Sequence, residues 1–132
     1  MSTKISCTYT SDNQTELVHG PTGARILTDL PPDNGGKGRA FSPTDLFAAA
    51  LASCALTIMG KIALREGVDF SGAQLEVEKE MSAEPPRRVA AFRLKARLPQ
   101  SLTPQQREKY LASIKTCPVH LSLHPEVKVS WE

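Results

Sequence analysis

The chain has 132 residues, a formal net charge of +2 and 40% apolar residues, which bounds it to one ordinary domain, residues 1–132, around a single core. So small a net charge gives no footing for nucleic acid, and with only seven aromatic residues the core is expected to be aliphatic and alanine-rich. Three cysteines, behind an N-terminus (MSTKISCTYT) without the apolar run of a signal peptide, argue for a reducing cytoplasm rather than a disulfide framework.

Residues 3–30 read as short strands. Ile5, Cys7 and Tyr9 alternate onto one face, which makes Cys7 a small core residue. Residues 16–19 lead into the turn Gly20-Pro21-Thr22-Gly23, and Arg25-Ile26-Leu27 leads out, as in a hairpin. The glycine-rich stretch 31–38 carries no hydrophobic period and no Gly-Lys-Ser/Thr ending, so it reads as a crossing loop more than as a phosphate cradle.

Residues 42–67 form the stretch that organises the chain. Ser42 is a good N-cap, Pro43 suits the first helical position and Asp45 stands where a capping box places its acceptor. Arg65 falls in the last turn and Gly67 can close it. From residue 46 to 60 there is no charge, which predicts a thin, alanine-rich helix buried all round, with Cys54 at its centre. That uncharged run is shorter than the roughly 18 apolar residues of a membrane span.

Downstream, Leu75, Val77 and Lys79 alternate with Glu76, Glu78 and Glu80, and Phe92, Leu94, Ala96 and Leu98 alternate with Arg93, Lys95 and Arg97. Two strands of a hairpin follow, with complementary charges on a solvated face. Thr103 caps a second helix at Pro104 whose stripe is Tyr110, Leu111 and Ile114, with Pro118 ending it; residues 119–123 suit one further turn, and Val127, Val129 and Trp131 a last strand. The order ββ(β)–α–ββ–α–β is an α+β fold with mainly antiparallel sheet around a long central helix.

The chemistry-bearing candidates are Cys54 and Cys117. A thiol mid-helix gains little from its own helix dipole, so a reactive Cys54 needs a cation from elsewhere, with Arg39 and Arg25 in reach of the argument. Cys117, at the end of the second helix, sits at the negative end of a dipole and is disfavoured as a thiolate. These residues fit a redox pair, two buried structural cysteines, or a metal site built from Cys54, Cys117, His120 and His124.

The Ser-Pro-x-x-Leu helix start, the alanine-rich helix reaching Ser53-Cys54 and the later Thr116-Cys117-Pro118-Val119-His120, about 63 residues on, resemble the family of osmotically inducible protein C and the organic hydroperoxide resistance proteins over nearly the whole chain. The loop 34–38 and residues 40–46 look like a less characterised branch of it. The resemblance implies an intertwined homodimer with each active site at the subunit interface; no cofactor, metal or membrane is expected. Cys54 stands for the peroxidatic cysteine that attacks an organic hydroperoxide, and Cys117 for the resolving cysteine, with a dithiol reductant restoring both. Where the peroxidase members carry an arginine in the N-terminal turn, this chain has Pro21 or Thr22, with Arg25 nearby and Arg39 as the substitute. Where they carry a glutamate after the helix-opening proline, Thr44 stands, with Asp45 one residue on. Asp45 and His120 complete the candidates for tuning the thiolate. The alternative is a non-catalytic dimer of the same fold that holds a small apolar ligand at its interface.

Overall fold

A computed structural model describes residues 1–132, in two compact units, Met1–Leu46 and Phe47–Glu132. The first unit is a three-stranded antiparallel meander of β1 (Ile5–Tyr9), β2 (Gln14–His19) and β3 (Arg25–Asp29). The hairpin turn expected at 20–23 is present, closed by the Gly23 N–H donating to the His19 carbonyl at 2.7 Å. Every residue of β1 is exposed, Cys7 included, so Cys7 is not the core residue that its alternation suggested. Period two assigns a residue to a face; it does not say that the face is covered.

Buried Asp29 ties the end of β3 to the following loop. Its carboxylate accepts from Arg39 Nε at 2.7 Å and from the Arg39 backbone N–H at 2.9 Å. The crossing loop owes its glycines to backbone packing: a Cβ at Gly36 would lie 1.9 Å from the Leu30 carbonyl oxygen.

Helix α1 (Pro43–Arg65) runs 23 residues, about 35 Å at roughly 1.5 Å per residue. Its start is the capping box expected from the sequence: the Asp45 N–H donates to Ser42 Oγ at 3.0 Å, and the Ser42 N–H to Asp45 Oδ2 at 2.9 Å. The whole helix is long and apolar enough, by length and composition, to cross a membrane, although its uncharged middle alone is not. Its buried residues, Ala48, Leu51, Ala55, Met59 and Ala63, belong to the hydrophobic core of the second unit, as in the central helix of a folded domain. They form one stripe at helical spacing, not a sleeve, and Leu64 is 82% exposed. The expectation of burial all round is therefore corrected: the second unit covers one face of this helix.

The stripe packs with β5, whose Phe92 and Leu94 share its core, and with Tyr110 and Ile114. Strands β4 (Gln74–Met81) and β5 (Val89–Arg97) pair antiparallel, with Glu76 opposite Lys95 and Glu78 opposite Arg93. Arg93 bridges Glu78 and Glu80 at 3.1 and 3.2 Å on the exposed face. Strand β6 (Lys128–Trp131) adds to β5 in parallel, a pairing the sequence does not announce.

Helix α2 (Pro104–Ala112) opens on a capping box between Thr103 and Gln106. Tyr110 is buried and donates its hydroxyl to Glu66 Oε1 at 2.8 Å, with Lys109 paired to the same carboxylate. Burial and the carboxylate together push the phenol up to about 12. After Ala112 the chain tightens into a 3-10 turn over Ser113–Thr116, and Pro118 then opens helix α3 (Pro118–Leu121). The second helix ends before Pro118, at Ala112, and the further turn expected over 119–123 is α3, with Pro118 at its first position, as proline there favours.

Candidate functional site

Two thiols from distant parts of the sequence meet in the second unit. Cys54 comes from the middle of α1, half-buried and packed against the core; Cys117 comes from the turn between α2 and α3 and has no exposed surface. Both are free thiols, and the Cys54 side chain is near enough to that of Cys117 to act on its ionisation. The sequence motifs carrying them stand 63 positions apart, and the fold closes that separation.

Their surroundings are unequal. Cys54 lies within a regular helix, where neighbouring backbone N–H groups are committed to the helix's own carbonyls. Cys117 is the N-cap of α3, and its sulfur accepts from the His120 backbone N–H at 3.3 Å. Cys117 does stand at the end of a helical segment, as expected, since it closes the 3-10 turn, but its sulfur also faces the donor end of the next helix. Burial nonetheless pushes the Cys117 thiol up. The His120 and Val119 amides pull the other way, while the hydrogen bond and the charge of Cys54 add to the rise. Cys117 is therefore held as a thiol while its partner is the more accessible sulfur.

The remaining candidates fall into two groups. His120 stands beside the pair through its backbone amide. Arg39, Arg25 and Asp45 lie in the first unit, each with a carboxylate or backbone partner of its own. Arg39 pairs with Asp29 and, at 3.2 Å, with Asp12; Arg25 pairs with Glu16; Asp45 holds the α1 cap. No three metal-ligating side chains gather anywhere in the chain, so Cys54, Cys117, His120 and His124 do not form the set that a metal reading needs. His124 Nδ1 is occupied by the Glu126 N–H at 3.1 Å.

An open cavity of about 450 Å³ is lined in the second unit by Phe47, Val89, Ala90 and Val127, with Arg88, His124 and Glu126. Of the apolar residues on the central helix, Phe47 lines this cavity and Ile58 is half-buried, but Leu51 and Met59 are sealed in the core and cannot touch a ligand. The Val119 and His120 amides were missed by the sequence reading. The signal was present as Cys117-Pro118: a polarisable side chain directly before a proline that can start a helix.

The OsmC-like protein family model matches residues 35–132. A crystal structure of a protein from Psychrobacter arcticus, provisionally described as an osmotic stress induced and detoxification response protein, is 41% identical, with a TM-score of 0.91 over 100% of this chain and 96% of that one. An organic hydroperoxide resistance protein OsmC from Legionella pneumophila is 20% identical, with a TM-score of 0.79 over 99% and 95% of the two chains. An organic hydroperoxide resistance protein from Elizabethkingia anophelis shares the fold at 12% identity, TM-score 0.78, over 100% and 96%. No curated protein sequence matches the chain.

Proposed function

We propose a function that starts from kinship: the chain belongs to the OsmC-like protein family. It is a thiol-dependent peroxidase that reduces organic hydroperoxides, with Cys54 as the attacking cysteine and Cys117 as the resolving one. The observation that carries this reading is the meeting of two free thiols, one accessible and one sealed. Relatives of the same fold are named organic hydroperoxide resistance proteins, which supports the substrate class.

The chemistry balances with no cofactor. The Cys54 thiolate attacks the O–O bond, takes one oxygen as a sulfenic acid and releases an alkoxide, which leaves as the alcohol after protonation. The Cys117 sulfur then attacks the sulfenic sulfur, and water departs with the proton that Cys117 held. A dithiol reductant returns two electrons and restores both thiols.

Arg39 and Arg25 are the candidate cations for the Cys54 thiolate, with Asp45 and His120 as the groups that tune it. A guanidinium has five donors. Arg25 spends one nitrogen on Glu16, whereas Arg39 is shared between Asp29 and Asp12. We place the active form in the cytoplasm as a homodimer. Exposed Ile5, Tyr9, Leu27 and Phe41 in the first unit, and Leu64 and Leu121 in the second, are large apolar side chains that a second copy would cover.

Consumption of cumene hydroperoxide with a dithiol tests the reading. The wild-type chain turns over, Cys54→Ser does not, and Cys117→Ser stops after one equivalent without accumulating a disulfide. Undiminished turnover in Cys54→Ser overturns it. The cavity around Phe47 favours one second reading, a dimer that holds a small apolar ligand without turnover; a ligand carried through purification, with no peroxide consumed, would mark it.

A further inference from the structure

We propose that the open cavity of the second unit binds a short apolar peptide with free termini, taking its carboxylate at Arg88 and its ammonium at Glu126. The site stands apart from the peroxidase reading, because neither Cys54 nor Cys117 lines the cavity.

The cavity lies where two strands part. Strands β5 and β6 pair from Ala91 and Lys128 onward. The residues just before that pairing, 88–90 on one side and His124, Glu126 and Val127 on the other, form its walls. Phe47 of α1 joins Val89, Ala90 and Val127 in the apolar lining. Its ring packs edge-on against Phe92, with centroids 5.4 Å apart, yet stays 40% exposed. An aromatic wall that is both held and open is a place to bury the apolar body of a ligand. The volume of about 450 Å³ lies within the range of small-molecule sites, roughly 300–1,000 Å³.

Three polar side chains stand among these residues with capacity to spare. Arg88 commits only Nη1 to the protein, donating to the Pro86 carbonyl at 2.8 Å and the Glu84 carbonyl at 3.4 Å. No carboxylate pairs with it, and Glu126 is likewise in no ion pair. Two opposite charges therefore border one cavity without neutralising each other. His124 Nδ1 accepts the Glu126 N–H at 3.1 Å. That places the proton of the neutral ring on Nε2, so the free nitrogen is a donor in either charge state.

These groups select the ligand. A simple carboxylate would meet Glu126, a simple amine would meet Arg88, and a purely apolar molecule would leave both charges partly desolvated and unpaired. A zwitterion answers both. The His124 donor asks for an acceptor between the two ends, which a peptide carbonyl supplies and a single amino acid lacks. Burial of the peptide's apolar side chains gives most of the affinity. The charged groups are exposed, so they set selectivity more than strength.

Calorimetric titration with the dipeptide L-phenylalanyl-L-valine tests the assignment. The wild-type chain should bind it saturably. Acetylating the amine of the dipeptide, or amidating its carboxyl, should each weaken binding about fivefold. Glu126→Gln should erase the penalty of acetylation and keep that of amidation, and Arg88→Gln should do the reverse. Both side chains are exposed, so both variants should fold, which circular dichroism checks; the three peptides on the wild-type chain decide the matter without them. The proposal is overturned if the dipeptide does not bind, if all three peptides bind equally, as in a plain apolar groove, or if the penalties persist in the glutamine variants. Cumene hydroperoxide consumption, read on the same wild-type preparation, is a separate result: its absence removes the peroxidase reading and leaves the peptide site standing.

Discussion

The backbone N–H of His120 lies 3.3 Å from the sulfur of Cys117, so a cysteine side chain serves as the N-cap of helix α3. Serine, threonine, aspartate and asparagine are the usual caps, because their oxygens accept strongly from the first turn. Sulfur accepts weakly as a thiol and strongly as a thiolate. The cap therefore changes strength with the ionisation of Cys117, and Cys54, close to the same side chain, is placed to influence it.

Removal of the Cys54 side chain should lower the pKa of Cys117. Burial raises that pKa most, but the hydrogen bond and charge of Cys54 raise it further, while the His120 and Val119 amides lower it. In Cys54→Ala the upward contributions of Cys54 vanish and the amides remain. The pH profile of Cys117 alkylation, read by mass mapping, should shift to lower pH in that variant. At about pH 7 in the wild-type chain, exposed Cys7 should be alkylated well before sealed Cys117. A profile that stays put or moves upward in Cys54→Ala would show that the two sulfurs do not interact as described.

How far the sequence could be read depended on whether a residue's partners were local. Ser42, Pro43 and Asp45 announce α1 because a cap is settled within four residues, and Thr103-Pro104 announces α2 for the same reason. The alternation of β4 and β5 also predicted their charged register, since a hairpin pairs neighbours in sequence. The covered face of α1 was not legible. A helix with no charge between residues 46 and 60 has no polar side to mark its orientation, and only the packing of Phe92, Tyr110 and Ile114 selects the stripe. The parallel pairing of β6 was hidden because its four residues meet a strand more than thirty positions earlier. At the site, the pair Cys54 and Cys117 was legible as residues. The environment of Cys117 was not, because the 3-10 turn over Ser113–Thr116 breaks what reads as one helix and turns a helix end into a helix start.

The stripe on α1 gives a stability contrast between two leucines one helical face apart. Leu51 is fully buried in the core, and Leu51→Ala should cost about 2–5 kcal/mol through lost burial and the cavity left behind. Leu64 is 82% exposed, and Leu64→Ala should stay within about 0.5 kcal/mol in the monomer. Urea denaturation of both variants measures the difference. The proposed homodimer adds a readout: if a second copy covers Leu64, the cost of Leu64→Ala should grow with protein concentration, since unfolding is then linked to dissociation. Equal costs for the two leucines at high dilution would contradict the single buried stripe.

The Arg39–Asp29 pair should appear as an acid-sensitive contribution to stability. Arg39 donates to the Asp29 carboxylate through its side chain and its backbone, and with the Leu30 amide it holds that carboxyl down to about 2. The ordinary aspartate value is 3.8. A group whose folded pKa is depressed stabilises the fold above its unfolded value and loses that contribution as pH falls through the folded one. The contribution is thus whole above about pH 4 and gone below about pH 2. Asp29→Asn cannot ionise, so the stability gap between wild type and Asp29→Asn should be constant near neutrality and narrow steadily across that window. Urea midpoints of the two proteins, collected at matched ionic strength through the acid range, provide the check. Comparing the two proteins at each pH cancels the carboxylates that titrate alongside without touching Arg39, Glu66 and Asp69 among them. A gap that keeps its size down to about pH 2 would mean that Arg39 is not the partner holding Asp29 ionised.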